Sequence, residues 1–509
     1  MSMRLSLLYP EGIRAKTALS PGEPDTGKIG PRTLYHLSLD STFASISEDD
    51  AMRRAFLSVV SMPCLKSHMV DYRQEILRVF AKHPDFMNDF ASLYDRFNGL
   101  KEGHNRERQA MMRSIHNSTA GASAQTLKNL LQANAVTLKR CLAFVRSLSD
   151  LCAEYRINTD ECKATGLKRV AREAGELSNS PAFDRLTALC TRFENMGVDD
   201  VLDFSVQIGE GGQIEECRMI EHKYLHITDP EENNRRFLFF RKNETADSGT
   251  CVRIHLYEDT TYDKLIAVPL QLLAEQIDAI TDQIFEKFCY IAPEMSFYII
   301  AVQYIETLKL RGVPYCWPSV AEGAEMRIRG LRDLMLVCET EKGAAKTVIP
   351  NDMGREDTRH GMIVFGENSS GKTVYLRSVG TAQLLGQAGL PIPADDARLP
   401  VCAQIVTQFS EAEKEFERGN DAGRFEQEVR ELASVIDSLG EGAMVLLNET
   451  FQTTAYEEGA EGLYHILNYF SAHDIRFLLV SHLHQLEGRF DDGEVGIYRT
   501  HPGYKVLSD

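Results

Sequence analysis

The residues of this 509-residue chain best suited to chemistry sit in one stretch, residues 361–373, which reads GMIVFGENSSGKT. Within it, Gly366-Glu367-Asn368-Ser369-Ser370-Gly371-Lys372-Thr373 fits G-x-x-x-x-G-K-[ST], a turn that holds phosphate groups. The glycines let backbone N–H groups converge on an anion, and a helix starting at the turn adds the positive end of its dipole. Lys372 is placed to reach the β- and γ-phosphates of a nucleotide, and the Thr373 hydroxyl to ligate Mg²⁺. Such a turn works only between a buried strand and a helix. Residues 362–365 are a short apolar run that suits the strand, and residues 374–387 carry helical periodicity.

Two further strand ends carry reactive side chains. Met444-Val-Leu-Leu is an apolar run that closes on Asn448 and Glu449. In phosphate-loop ATPases the strand-end acid holds Mg²⁺ through water, and the following Glu polarises the attacking water. Glu449 takes that second place, against the plainer reading of a surface acid. Asn448 takes the first, and its amide brings no negative charge to the ion. Arg476-Phe-Leu-Leu-Val480 is another buried run and ends at Ser481-His482-Leu483-His484. A His there can sense a γ-phosphate, although a lone strand-end His is otherwise structural.

In this order the motifs resemble the ATPase domain of the MutS family, proteins of DNA mismatch repair and recombination. The similarity runs over residues 348–486. It includes Val348-Ile-Pro-Asn351-Asp352, the turn and its helix as far as Val379, Leu384-Leu-Gly-Gln387-Ala-Gly389, Pro393-Ala394, residues 444–450, and Ser481 to Leu486. More weakly, Tyr72-Arg-Gln-Glu-Ile and residues 297–310 are similar to the family's core and lever helices. The resemblance implies an ABC-type ATPase with ATP and Mg²⁺ as cofactors. It implies a nucleotide-binding set of Asn351, Gly366 to Thr373, Tyr375, Gln387 and Arg424. Thr373 and Asn448 would stand at the metal, and Glu449 and His482 would be catalytic. DNA is the implied ligand. A homodimer, or pairing with a MutS-like chain, is implied because a signature segment of one subunit closes the other's nucleotide site.

The chain departs from the family at three points. Asn448 replaces its strand-end Asp. The signature falls at Ala422-Gly423-Arg424-Phe425-Glu-Gln-Glu428, where Phe425 and Glu428 match but Gly423 replaces Ser and Arg424 offers a different γ-phosphate contact. No mismatch-reading N-terminal domain is recognisable, and little chain follows Leu486 to supply the family's helical dimerisation region.

To hold these strand ends, residues 326–509 must form an α/β domain, and their alternating β-type and helical runs suit a parallel sheet. The chain before it is mainly helical in period. Residues 51–60, 69–82, 85–100, 127–155 and 165–196 place apolar residues at three- and four-residue spacing. Breaks fall at His83-Pro84, in the Ser/Thr/Ala/Gly-rich 116–125, and near Pro181. Residues 34–47 are short and mixed. Four β-type runs follow, at 204–208, 216–220, 236–240 and 251–257. Helix returns over 269–312, with an interruption near Pro293 and a stop at 314–318. The expected architecture is multidomain and mostly α-helical. It has an irregular, loosely attached 1–33, a helical core over 34–202, and a small β-rich insertion over 203–265. Lever helices over 266–325 and a C-terminal α/β P-loop ATPase domain over 326–509 complete it.

The hydrophobic fraction of 43% is ordinary for a soluble protein. No apolar run approaches the roughly 18 residues of a membrane span, and Pro10 and Glu11 interrupt any secretory signal. The 11 Cys are scattered singly and read as reduced core thiols of a cytoplasmic protein. The net charge of −18 argues against a generally basic nucleic-acid coat. Its distribution is uneven. Residues 51–150 hold 15 Lys and Arg against 8 Asp and Glu, whereas residues 326–509 hold 18 against 29. The basic stretch, with Arg73, Arg106 and Arg108, suits phosphate backbones, or else is a solvated helix face. Two readings remain open. One is an ATP-switched dimer acting on branched or otherwise non-standard DNA. The other is a nucleotide-dependent scaffold with little hydrolysis and no DNA ligand.

Overall fold

The computed structural model describes residues 4–11, 26–117, 123–196, 202–208, 214–219, 250–254, 263–340, 348–354, 361–409, 421–451, 456–490 and 495–508. Ten helices precede the first strands of the α/β lobe among these residues. They are α1 (Pro31–His36), α2 (Leu39–Ala44), α3 (Asp50–Val60), α4 (Ser67–Lys82), α5 (Pro84–Asn117), α6 (Ala124–Glu154), α7 (Thr165–Ser178), α8 (Pro181–Glu194), α9 (Asp263–Phe288) and α10 (Ile291–Leu310). The prolines read as breaks open new helices: α5 and α8 each start on one, and Pro293 lies in the first turn of α10. The first turn of a helix has N–H groups without partners, so a residue lacking one costs nothing there. Residues 34–47, mixed in pattern, fall within α1, α2 and their flanks.

The chain divides into two units. The first comprises Met1–Tyr94, Leu151–Arg172 and Tyr290–Asp509, and the second Asp95–Asp150 and Glu173–Cys289. In the second unit Phe97 stacks on Phe144 with ring centroids 3.8 Å apart. Around that contact His104 bonds Asp278 at 2.9 Å, and Lys287 pairs with Glu173 at 2.5 Å. The unit also holds an antiparallel sheet of β1 (Leu202–Ile208), β2 (Ile214–Met219) and β3 (Thr250–Ile254), ordered β2-β1-β3. These strands take up three of the four β-type runs; the fourth, residues 236–240, lies outside the described residues.

The first unit packs α3 and α4 against α10. Phe56 lies 5.6 Å from Phe297, and Phe80 lies 5.4 Å from Tyr298. Helix α10 is apolar around its whole circumference, with Phe297, Tyr298, Ile300, Ala301, Tyr304 and Ile305 all buried. A helix of that kind must sit inside a core. The stretch Leu270–Leu310 is also long and apolar enough to cross a membrane by composition, which corrects the reading that no run came near that length. Of its most apolar 18-residue window, 67% is buried inside the protein, as in the core helix of a folded domain.

The α/β lobe of the first unit carries two sheets. One is four-stranded: β4 (Ser319–Ala321), β8 (Asp396–Pro400), β5 (Arg327–Leu331) and β6 (Asn351–Met353). The other has six strands in the order β13-β12-β7-β11-β10-β9: β13 (Lys505–Ser508), β12 (Val495–His501), β7 (Gly361–Phe365), β11 (Arg476–Ser481), β10 (Met444–Asn448) and β9 (Ile405–Phe409). Every neighbouring pair in it is parallel except the β12–β13 hairpin. Four helices accompany the sheets: α11 (Leu334–Glu339), α12 (Lys372–Gln387), α13 (Asp421–Ser438) and α14 (Tyr456–Ala472). All five residues of β7 and of β10 are buried. Covered parallel strands read as unbroken apolar runs, which is why these two were visible in the sequence. One face of the sheet packs Ile363, Phe365, Val445 and Leu447 with Leu463, Leu467 and Phe470 of α14.

Residues 4–11 overturn the expectation of loose attachment. They form no helix or strand, yet Leu5, Leu7 and Leu8 are buried. Glu294 of α10 accepts from the Ser6 hydroxyl at 2.5 Å and from the Leu7 N–H at 2.6 Å. Burial pushes the Glu294 carboxyl from 4.5 up to about 7, against these hydrogen bonds, which favour its charged form. The folded state thus holds a proton that the unfolded chain has released, and stability falls as pH rises from about 4.5 through about 7. Glu294→Gln removes this dependence. Thermal melts at about pH 5 and about pH 8 will differ less in the variant than in the parent. Identical pH slopes would show a carboxylate charged throughout.

Candidate functional site

The turn between β7 and α12 is shaped by two glycines. Gly371 caps α12 with φ +91, a left-handed conformation that disfavours other residues. A side chain at Gly366 would place its Cβ 1.8 Å from Thr500 Oγ1, so only glycine lets β12 approach. Thr500 in turn lies 2.9 Å from the Ser370 hydroxyl. Glu367, Asn368 and Ser369 form the exposed crest of the turn, with Ser369 at φ +62.

Lys372 is 3% exposed and lies along the inside of the turn. Its Nζ donates to the carbonyls of Gly366 at 2.8 Å and Glu367 at 2.7 Å. Desolvation lowers its pKa, with the Glu449 carboxylate opposing. Glu449 Oε1 lies 3.7 Å from that Nζ and 2.8 Å from His482 Nε2. Glu449 follows β10 with φ +53, which turns its carboxylate out of the strand. Its N–H bonds the Val480 carbonyl, fixing the end of β10 to the end of β11. The Thr373 hydroxyl donates to Asn448 Oδ1 at 3.0 Å, and Asn448 is 8% exposed. Lys372, Thr373, Asn448, Glu449 and His482 therefore meet at the ends of three parallel strands.

A cavity of about 490 Å³ opens beside them. Ser369, Ser370, Lys372, Thr373, Tyr375 and Glu449 line one side, and Leu331, Leu336, Val348, Ile349 and Tyr504 supply an apolar wall. Asn351 organises that wall: its Nδ2 donates to the Tyr504 carbonyl at 3.1 Å, and its Oδ1 accepts from the Val506 N–H at 2.9 Å. The Tyr375 hydroxyl donates to the Asp352 carbonyl at 2.9 Å, and burial raises its pKa. Beneath the cavity Arg377 grips Asp333 through two bonds, at 2.8 and 3.0 Å.

One expected nucleotide residue does not join this group. Gln387 lies at the far end of the 16-residue α12, roughly 22 Å along the axis from Lys372. Its amide is fully buried and bonds the Cys64 and Cys402 carbonyls at 2.8 and 2.7 Å, so it is a structural staple. Gly423 and Arg424 lie on α13, and the Arg424 side chain is outside the described residues. Glu428, further along α13, accepts from the Phe451 N–H beyond Glu449, and burial raises its carboxyl. Sequence reasoning missed Tyr504 and Asp333. His501-Pro502-Gly503-Tyr504 between two β-type runs is a hairpin signal that pointed to the first. Asp333 had no comparable mark.

The basic stretch also needs correction. Arg73 is 0% exposed and bonds the Leu8 and Ala388 carbonyls, so it is a core residue. Arg108 pairs with Asp278 and Asp282, and Arg146 with Asp184. Arg106, Arg113 and Arg140 are exposed.

These features define a mostly helical, multidomain chain whose α/β lobe gathers a buried lysine, a hydroxyl and a strand-end carboxylate around one glycine turn. The chain belongs to the MutS family. The model of MutS domain V matches residues 362–494, and that of the MutS2 N-terminal domain matches residues 66–311. The DNA mismatch repair protein MutS of Chlorobaculum tepidum is 32% identical over 183 residues, 35% of this chain and 20% of that protein. That of Thermosynechococcus vestitus is 30% identical over 173 residues, 34% of this chain and 19% of its own length. DNA mismatch repair protein MutS 1 of Haloarcula marismortui is 30% identical over 183 residues, 35% and 19%. The chain thus spans about a fifth of the length of these relatives.

Proposed function

We propose that the protein binds ATP with Mg²⁺ at the turn after β7, hydrolyses it, and uses the cycle to switch a dimer on branched or otherwise non-standard DNA in repair or recombination. The observation that carries this reading is the meeting of Lys372, Thr373, Glu449 and His482 at one strand-end cluster beside the cavity. The residues fit the groups they would hold. Gly366 and Gly371 let the turn pack against Thr500 and Tyr504 without a Cβ in the way, and its backbone N–H groups would face the phosphates. Lys372 would exchange its two loop carbonyls for phosphate oxygens, keeping charge-assisted partners throughout. Thr373 and Asn448 present neutral oxygens to a Mg²⁺ that would draw most of its charge from the nucleotide. The apolar wall of Val348, Ile349 and Tyr504 suits the flat face of a base. Glu449 would take a proton from the attacking water, with His482 holding the carboxylate in place. The subunit partner, a second copy or a MutS-like chain, would close the site with its own residues 423–428. Phosphate release measured with and without branched, duplex and single-stranded DNA tests the whole reading. No turnover under any of these conditions would refute hydrolysis.

A second reading, a nucleotide-dependent scaffold with slow hydrolysis and no DNA ligand, draws on the Thr373–Asn448 bond. That contact pairs two neutral groups where a carboxylate would concentrate charge on the metal. Asn448→Asp therefore discriminates. We expect it to raise Mg²⁺ affinity and turnover by restoring a hard anionic ligand. A fall in turnover would show that the amide is required by this active site.

DNA binding is tested on the exposed arginines. Reversing charge at Arg106, Arg113 and Arg140 should weaken duplex binding and flatten its dependence on salt, by about one unit of slope for each phosphate no longer neutralised. Nucleotide affinity should not change. Salt-insensitive or absent DNA binding by the parent would favour the scaffold.

A further inference from the structure

Residues 6–10 have an unusual set of partners. Among the described residues they join no strand ladder: the Ser6 hydroxyl accepts from the Leu8 and Tyr9 N–H groups, and side chains from three helices hold other backbone groups of the segment. The Tyr72 hydroxyl donates to the Ser6 carbonyl at 2.7 Å, and the Leu7 N–H donates to Glu294 at 2.6 Å. The Tyr298 hydroxyl donates to the Leu7 carbonyl, Arg73 Nε to the Leu8 carbonyl at 3.1 Å, and Arg169 Nη1 to the Pro10 carbonyl at 2.7 Å. The Leu7 and Leu8 side chains are buried. Main-chain bonds combined with buried side chains are also how proteins hold a bound peptide.

Arg73 links this groove to the catalytic lobe. While Nε holds Leu8, Nη1 donates to the Ala388 carbonyl at 3.3 Å, and Nη2 has no partner among the described residues. Ala388 caps the C-terminal end of α12, whose first residue is Lys372. Gly389 follows at φ +94, and a Cβ there would come within 2.8 Å of Arg73 Cβ, so the chain turns directly against this side chain. One buried cation thus ties residue 8 to the negative end of the helix that begins at the phosphate turn.

We propose that the groove formed by Tyr72, Arg73, Arg169, Glu294 and Tyr298 is an exchangeable peptide site, filled here by residues 6–10 as a strap, and that its occupancy sets the position of α12 and hence nucleotide affinity. The last step rests on the nucleotide reading above. With the strap removed, Arg73 loses the acceptor that justifies its burial, and a buried guanidinium left short of partners moves toward water. The Ala388 carbonyl then loses its cation. Helix α12 is held less firmly at that end, and its N-terminal N–H groups at the phosphates are less well fixed. Emptying the groove lets water reach its hydroxyl, carboxylate and guanidinium groups, which offsets part of the apolar burial that Leu7 and Leu8 give up.

The test inserts a protease site after Glu11 in the full chain, cuts it after folding, and removes the freed segment. A fluorescent peptide of residues 1–11 should rebind the cut protein, and a scrambled peptide should bind at least about tenfold more weakly. Trp317, the one tryptophan of the chain, reports on α12 without nucleotide, because neighbouring Pro318 packs against Gly386. Its emission should change on strap removal and return with peptide. Affinity for a fluorescent ATP analogue should fall about tenfold and recover in parallel, the size expected when a charged hydrogen bond is lost. If the cut protein unfolds, Tyr72→Phe with Tyr298→Phe replaces it. That variant removes two donors and keeps both rings, and should exchange the Leu7 and Leu8 amide protons about tenfold faster while shifting Trp317 emission. A folded cut protein that ignores the peptide, or binds it with Trp317 unmoved, overturns the proposal, as does a double variant with unchanged exchange. An intact chain that binds no nucleotide would refute the nucleotide reading, and the peptide and Trp317 measurements would still decide the strap.

Discussion

Glu449→Gln lowers ATP turnover by about 10²–10⁴ and leaves ATP binding near that of the parent, the size expected when a general base is lost. The geometry sets both halves of this expectation. The amide has the shape of the carboxylate, so the left-handed turn at residue 449 and its bond to Val480 survive. What disappears is the charge that His482 approaches at 2.8 Å and Lys372 at 3.7 Å. Lys372 keeps the Gly366 and Glu367 carbonyls, so the turn should still receive phosphate. In the dimer proposed above, ATP bound but not consumed should hold the subunits together, because a ligand shared across an interface stabilises the assembly it spans. Phosphate release, nucleotide binding and sedimentation with ATP measure the three consequences separately. Turnover equal to the parent's would remove Glu449 from catalysis and favour the scaffold reading.

The parts of this site that were legible in the sequence are local ones. Residues 366–373 declare a turn because glycine spacing and a lysine fall within eight positions, and β7, β10 and β11 declare themselves because burial on both faces demands continuous apolar residues. Contacts between distant segments left weaker marks. Tyr504 reaches the cavity through Asn351, 153 positions away, and nothing near either residue announces the bond. Charge counts misled for a related reason. Arg73 adds to the positive total of residues 51–150 just as a surface arginine would, although it is fully buried. Gln387 sits within a helix that matches the family pattern, but a helix 16 residues long cannot bring both its ends to one ligand. The prolines and glycines of the first 33 residues predict irregular backbone. They carried no information on whether side chains elsewhere would hold that backbone, as Glu294 and Tyr72 do.

Lys372→Ala abolishes measurable ATP binding, with an expected loss of about 10²-fold or more. Removing one charged partner of a desolvated phosphate commonly costs about 2–5 kcal/mol, and each ~1.4 kcal/mol is tenfold. Two effects add here. The phosphates lose the point charge directed at them from inside the turn. The Gly366 and Glu367 carbonyls also lose their shared donor, so the turn itself is less well formed. Lys372→Met removes both the charge and the donor but keeps most of the apolar stem, so it should lose as much affinity as Ala, and any difference between the two measures only the packing of that stem. Lys372→Arg should not rescue binding, because a planar guanidinium cannot occupy the 3%-exposed slot that the ammonium fills. Calorimetric titration with Mg-ATP decides among these outcomes. An alanine variant that binds like the parent would make the turn purely structural and leave the 490 Å³ cavity beside Tyr504 to a ligand without phosphates.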